Sequence, residues 1–227
     1  MNKNFEQEKL LAAREAVKFI ANGQIIGLGT GSTANLAIKE IGKMVAEGLE
    51  IRGVATSNRS EELAKSVNIP LLSMDAVDSI DLTIDGTDEF DADLNLIKGG
   101  GGALFREKMI ARLSKREIIM ADSTKKVEKL GAFKIPVEVV PIALNFARKQ
   151  IEKLGATAKV REKNGAEFTT DAGNKILDAD FGLIEDAEEV SAKLDGIEGV
   201  VCHGLFIGLA NIVIMADGDE ISVFEKS

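Results

Sequence analysis

Residues 24–45 constrain the fold most narrowly. A short apolar run at 24–28 leads into a glycine-rich turn, Gly27-Leu28-Gly29-Thr30-Gly31-Ser32-Thr33, and then into apolar residues at helical spacing, Ala34, Leu36, Ala37, Ile41, Met44 and Val45. That order is strand, turn, helix. Glycines let a backbone approach a ligand closely, and the unpaired N–H groups at a helix start attract an anion. A phosphate suits such a turn; a tight turn serving only the fold is the competing reading. No Gly-Lys-Ser/Thr follows, as a nucleoside-triphosphate loop requires. The dinucleotide fingerprint fails at its third glycine and lacks an acidic residue at the end of 51–55.

The alternation continues. Strand candidates at 51–55, 80–84 and 118–121 interleave with helical stretches near 61–67 and 103–113, the pattern of parallel βαβ units. Ahead of them Leu10, Ala13, Val17 and Ile20 recur at helical spacing, with Gly23 as a stop. From about Gly131 the order changes: a strand at 135–140, Pro141 opening a helix that ends near Gly155, strands at 158–162, 167–170 and 175–181, a helix near 187–194, and a strand at 199–203. Most of this reads β-α-β-β-α-β, a ferredoxin-like unit in which one hairpin segment is an embellishment. Two further strand candidates within 207–224 flank the turn signal Asp217-Gly218-Asp219 and rejoin the first unit. The expected fold is α/β: a doubly wound, mostly parallel sheet from 1–130 and 204–227, with a smaller ferredoxin-like α+β domain at 131–203.

The formal net charge of −9 disfavours nucleic acid and anionic membrane surfaces, which need a positive footprint. It also repels a phosphorylated substrate at long range, so a site for one must rely on backbone N–H groups and a few well-placed cations. Cys202 is the one cysteine and His203 the one histidine; no internal disulfide can form, and the pair cannot make a four-ligand zinc site alone. His203 reads as a packing residue. Charges throughout the N-terminal stretch argue against an export leader, and the nearly uncharged run 204–216 is too short to span a bilayer. A reducing, cytoplasmic location is expected.

Four further segments carry candidate chemistry. Asp85-Gly86-Thr87-Asp88 follows the strand candidate at 80–84, at the sheet edge where open α/β folds bind ligands; the acidic surroundings also fit a merely solvated loop. Lys98 precedes Gly99-Gly100-Gly101-Gly102, a backbone able to wrap a ligand beside a local positive charge. In the next helix Glu107 has Ala103 and Leu104 one turn before it and Ile110 and Ala111 one turn after it, so no cation at helical spacing can pair with it. A carboxylate on an apolar strip can have its pKa raised toward the range of a general base. Lys125, in Ala121-Asp122-Ser123-Thr124-Lys125, offers a cation at another strand end.

Taken together, TGST at 30–33, DGTD at 85–88, KGGG at 98–101, REK at 106–108, ADSTK at 121–125 and PVEV at 136–139 resemble the ribose-5-phosphate isomerase A family, over essentially the whole chain. The resemblance implies interconversion of D-ribose 5-phosphate and D-ribulose 5-phosphate in the non-oxidative pentose phosphate pathway, with Glu107 as proton acceptor. It implies substrate binding by Thr30, Gly31, Ser32, Thr33, Asp85, Gly86, Thr87, Asp88, Lys98, Gly99, Gly100, Gly101 and Lys125. It also implies no metal, no organic cofactor and a homodimer or homotetramer.

The residue types suit that chemistry. Moving a proton between C2 and C1 through an enediolate requires one base that removes and returns it. The developing oxyanion needs donors, which Lys98 and the glycine-loop N–H groups offer; Asp85 and Asp88 would orient hydroxyls and assist ring opening. Two rivals are a sugar-phosphate sensor that performs no reaction and an acyl transfer to coenzyme A with glutamate as nucleophile.

Overall fold

A computed structural model describes residues 4–226; the expectations touching 1–3 and 227 lie outside them. Helix α1 (Phe5–Ala16) is capped by the Asn4 side chain, which accepts from Gln7 N–H, and buries Ala12, Ala13 and Ala16. It stops earlier than expected: a 3₁₀ turn at Val17–Phe19 tightens its end and Ile20 is extended, so Gly23 belongs to the turn before the first strand. Then come β1 (Ile25–Leu28), α2 (Ser32–Ala46), β2 (Arg52–Ala55), α3 (Asn58–Ser66) and β3 (Leu82–Gly86). Further along are β4 (Glu89–Phe90), β5 (Leu96–Ile97), α4 (Leu104–Leu113) and β6 (Glu117–Asp122).

The next stretch holds β7 (Ile135–Val139), α5 (Leu144–Lys153), β8 (Thr157–Val160), β9 (Glu162–Lys163), β10 (Ala166–Glu167), β11 (Lys175–Asp180), α6 (Ala187–Asp195) and β12 (Val200–His203). The chain closes with β13 (Leu205–Phe206), β14 (Ile212–Asp217) and β15 (Glu220–Glu225).

Six strands form the central sheet in the order β15-β14-β6-β3-β1-β2, parallel except for β15. Helices α1 and α2 cover one face, where Ala13, Ile38 and Ile41 meet Ile26, Leu28 and Ile118. Helix α4 covers the other, with Ala111 against Ile119 and Val213. The expected doubly wound sheet is therefore present, and the chain reverses its winding direction between β1 and β3, where open α/β sheets hold ligands. Strand β3 runs to Gly86 and Ile80 makes only an isolated bridge to Ser114. Asp85 thus lies inside the strand instead of in the loop after it.

A second sheet, β12-β7-β11-β8, is antiparallel throughout and follows the β-α-β-β-α-β connection of a ferredoxin-like unit. The expected strand at 167–170 does not join it. Asn164 and Gly165 both have positive φ, the geometry of a two-residue hairpin turn, which pairs β9 with β10 and leaves Phe168 to pack against the cluster of Leu104, Ile176 and Cys202. A third, three-stranded sheet, β13-β5-β4, goes unannounced in sequence because two-residue strands carry no periodicity.

His203 is fully buried. Leu205 N–H donates to its Nδ1 at 3.2 Å and Asp195 stands 3.1 Å from Nε2; burial and the nearby Lys108 ammonium bring its pKa down to about 4, as suits a neutral packing residue. Among the described residues no helix is long and apolar enough to cross a membrane.

Candidate active site

The site grows from the turn after β1. Gly29 N–H donates to Ile84 O at 3.0 Å, which brings the turn so close to β3 that a Cβ on Gly29 would stand 2.2 Å from Asp85 Oδ1. Only glycine fits there. The Asp85 carboxylate fills the space, with Oδ1 accepting from Thr30 N–H at 3.0 Å and from Gly86 N–H at 2.7 Å. Behind the turn, Thr30 Oγ1 lies 2.6 Å from Thr56 Oγ1, 2.8 Å from Ser57 Oγ and 3.0 Å from Ser60 Oγ. Ser60 donates on to Gly29 O, so a buried cluster of hydroxyls fixes the backbone that precedes α2.

Lys98 enters from β5. Leu96 and Ile97 are buried in the three-stranded sheet and Lys98 N–H donates to Gly204 O at 2.8 Å, which aims the side chain inward past the Phe206 ring, 5.4 Å from Nζ. The ammonium is 2% exposed, 3.0 Å from Asp85 Oδ2 and 3.3 Å from Glu107 Oε1. Burial lowers its pKa, and the charges of Asp85, Glu107 and Glu117 outweigh burial and hold it above that of free lysine.

Glu107 sits in the first turn of α4, a helix packed between the two larger sheets: Ala111 faces Ile119 and Val213, while Leu104 faces Ile176 and Cys202. Helical spacing offers Glu107 no cation, and Lys98 supplies one from another segment. Its other oxygen, Oε2, is buried without a hydrogen-bond partner. Burial first, and then Asp85 against the opposing pull of Lys98, raises the Glu107 pKa to about 8.

The cleft is lined by Thr30, Gly31, Ser32, Thr33, Gly86, Thr87, Asp88, Lys98, Gly99, Gly100, Gly101, Glu107 and Lys125. All the residues expected from sequence are there but one. Asp85 stands behind the wall, holding Lys98 and the turn, and Asp88 is the aspartate that faces the open space. Asp88 accepts from Gly100 N–H at 2.8 Å, and burial raises its pKa despite that bond and the Lys98 charge. Lys125 lines the same cleft as Ser32 and Thr33 of α2, and its Nζ has no hydrogen-bond or ion-pair partner among the described residues.

Three contributors are missed by sequence, among them Asp122 at the end of β6, which lines the cleft and whose Oδ1 accepts from Thr124 N–H at 3.0 Å. Lys9 of α1 also lines the cleft, paired with Glu6 at 2.7 Å; it is far from every motif, and nothing in its helix distinguishes it from a surface lysine. Glu117 is buried beneath the site on β6, in register with Thr83 of β3. Desolvation and the like charge of Asp85 raise its pKa well above the usual glutamate range, and its Oε2 has no partner.

The model of the family "Ribose 5-phosphate isomerase A (phosphoriboisomerase A)" matches residues 52–220. The chain is 47% identical over 222 residues to ribose-5-phosphate isomerase A of Streptococcus agalactiae serotype V, an alignment covering 97% of this chain and all of that protein. Among solved structures, it superposes with TM-score 0.95 and 39% identity on a D-ribose-5-phosphate isomerase in complex with phospho-erythronic acid, covering 98% of this chain and 99% of that one. The corresponding figures for ribose 5-phosphate isomerase A from Methanocaldococcus jannaschii are 0.93 and 37%, over 98% and 100% of the two chains. Identity and fold similarity extend over nearly the whole chain, and the chain belongs to the ribose-5-phosphate isomerase A family.

Proposed function

We propose that this chain interconverts D-ribose 5-phosphate and D-ribulose 5-phosphate, with Glu107 moving the proton between C2 and C1. The observation that carries the reading is the Glu107 carboxyl itself: it lines the cleft, its Oε2 is buried with no partner, and its pKa is raised to about 8. A base poised near the working pH both accepts and returns a proton efficiently. Lys98, 3.3 Å away and held charged, faces the same space and would stabilise the enediolate oxygens together with the glycine-loop N–H groups.

The phosphate would lie at the opposite end, on the N–H groups opening α2 and between Lys9 and Lys125. This local positive pole offsets the chain's overall negative field. Asp88 would orient a sugar hydroxyl and assist ring opening; Asp85 would act through Lys98 and the turn. No metal or organic cofactor enters this scheme. The family likeness supports a cytoplasmic homodimer or homotetramer, and the separate antiparallel sheet β12-β7-β11-β8 supports reading 1–130 with 204–227 and 131–203 as two domains, joined where Ile97, Leu130 and Leu205 pack into the Val137 cluster.

Turnover in D₂O tests the proton transfer. Deuterium should enter the product's reacting carbons with the native chain and not with Glu107→Gln. A covalent thioester on Glu107 in the presence of coenzyme A would replace this reading with acyl transfer.

A further inference from the structure

Arg161, just after β8, reaches out of the four-stranded sheet to the glycine loop. Its Nη1 donates to Gly99 O at 2.8 Å and to Gly100 O at 3.2 Å. The other edge of the guanidinium is fixed from behind: Nε donates to Asp178 Oδ2 at 3.0 Å and Nη2 pairs with Asp178 Oδ1. Asp178 belongs to β11, paired on both sides within the sheet. This planar two-edged grip is specific to arginine, because lysine offers one point charge on a flexible stem.

The consequence lies on the far side of the peptide planes. In a planar trans peptide the C=O of one residue and the N–H of the next point in opposite directions. Holding Gly99 O and Gly100 O toward Arg161 therefore turns the N–H groups of Gly100 and Gly101 away from it. Gly100 N–H donates to Asp88 Oδ2 at 2.8 Å. Gly101 N–H donates to no group among the described residues, and Gly101 lines the cleft opposite Thr30, where an added Cβ would come within 3.6 Å of the threonine methyl. Gly99 reaches this arrangement at φ +98°, a conformation with no strong preference of its own in glycine. Gly102 N–H closes the turn on Gly99 O at 3.0 Å, and Arg161 adds a side-chain grip that holds the Gly99 and Gly100 carbonyls together.

We propose that Arg161 is a positioning residue for the isomerisation: by gripping the carbonyls of Gly99 and Gly100 it presents the Gly101 N–H to the oxygen that gains charge in the enediolate and keeps Asp88 in place. The inference rests on reading the cleft as an isomerase site. Arg161 does not touch the sugar; it aims groups that do, and the four-stranded sheet thereby takes part in the site.

The test compares Arg161→Met and Arg161→Lys with the native chain, with folding checked by circular dichroism. Arg161→Met should lower kcat about 10–100-fold, on the scale of a weakened oxyanion donor, while KM for ribose 5-phosphate and inhibition by inorganic phosphate stay within about threefold. Phospho-erythronic acid, whose carboxylate carries charge like that of the enediolate, should bind at least about tenfold more weakly. Arg161→Lys should recover only part of the loss.

A folded Arg161→Met with native kcat overturns the proposal, as does an equal loss of phosphate affinity. If Arg161→Met does not fold, Arg161→Lys decides, and native kcat in that variant overturns it. Should the native chain fail to isomerise, the isomerase reading fails by itself; the comparison of phospho-erythronic acid with phosphate still reads the grip without turnover.

Discussion

Lys98 Nζ stands 3.3 Å from Glu107 Oε1 and leaves Oε2 without a hydrogen-bond partner. One oxygen is tied to a buried cation that also binds Asp85, and the other is buried without a partner in a residue that lines the cleft. This asymmetry holds the carboxyl by one oxygen and, on the proposed function, keeps the lone pairs of the other for the substrate proton.

The pH dependence follows from the Glu107 pKa of about 8. The base must be ionised to accept a proton, so kcat/KM should rise about tenfold per unit below pH 8 and level off above it. The substrate phosphate titrates lower, near pH 6, so an inflection near 8 belongs to the enzyme. A profile flat from pH 7 to 9 would speak against Glu107 as the titrating base.

Replacing Lys98 by Met should have two separable effects. The ammonium pulls the Glu107 pKa down, so its loss should move the activity inflection above pH 8 and lower kcat about 10²–10³-fold. Leaving Asp85 and Glu107 without their cation should also destabilise the fold by about 3–5 kcal/mol. Urea melts and a pH series on the same variant measure both, and an unmoved inflection would separate Lys98 from Glu107.

For the phosphate, Lys9→Ala and Lys125→Ala should each raise KM about 10–100-fold and leave kcat nearly unchanged, since a charge-assisted hydrogen bond is worth about 1.5–3 kcal/mol. Inhibition by inorganic phosphate should weaken in step. Rising salt should raise the native KM and affect the variants less. A loss confined to kcat would place these lysines near the reacting carbons instead.

Glu117 gives a stability prediction. Its folded pKa lies above the unfolded value, so its contribution is fully present below the unfolded pKa and is lost as pH rises toward the folded one. Glu117→Met removes that dependence and an unpartnered buried oxygen while nearly keeping length. Its Tm should exceed the native one, by a margin larger at pH 8 than at pH 5. Equal margins at both values would show that Glu117 is ionised in the folded chain.

Much of the site could be read from the sequence, because strand, glycine turn and helix are local patterns: the start of α2, the glycine run and Glu107 were each found where the chain itself places them. What escaped depends on contacts between distant segments. The Lys98–Glu107 pair is invisible to helical spacing, since Lys98 approaches from β5. Lys9 reaches the cleft only because α1 packs across the six-stranded sheet. Asp85 seemed a loop residue until β3 proved to run two residues further, which turns the side chain into the interior. Phe168 looked like part of a strand, but the Asn164-Gly165 turn closes the hairpin before it.

The central claim is tested most directly by turnover of ribose 5-phosphate to ribulose 5-phosphate with chelator-treated protein, measured beside folded Glu107→Gln. The expected result is full activity in the first and a loss of at least about 10²-fold in the second, with binding of phospho-erythronic acid retained by both. Near-native turnover by Glu107→Gln would contradict the assignment of the base.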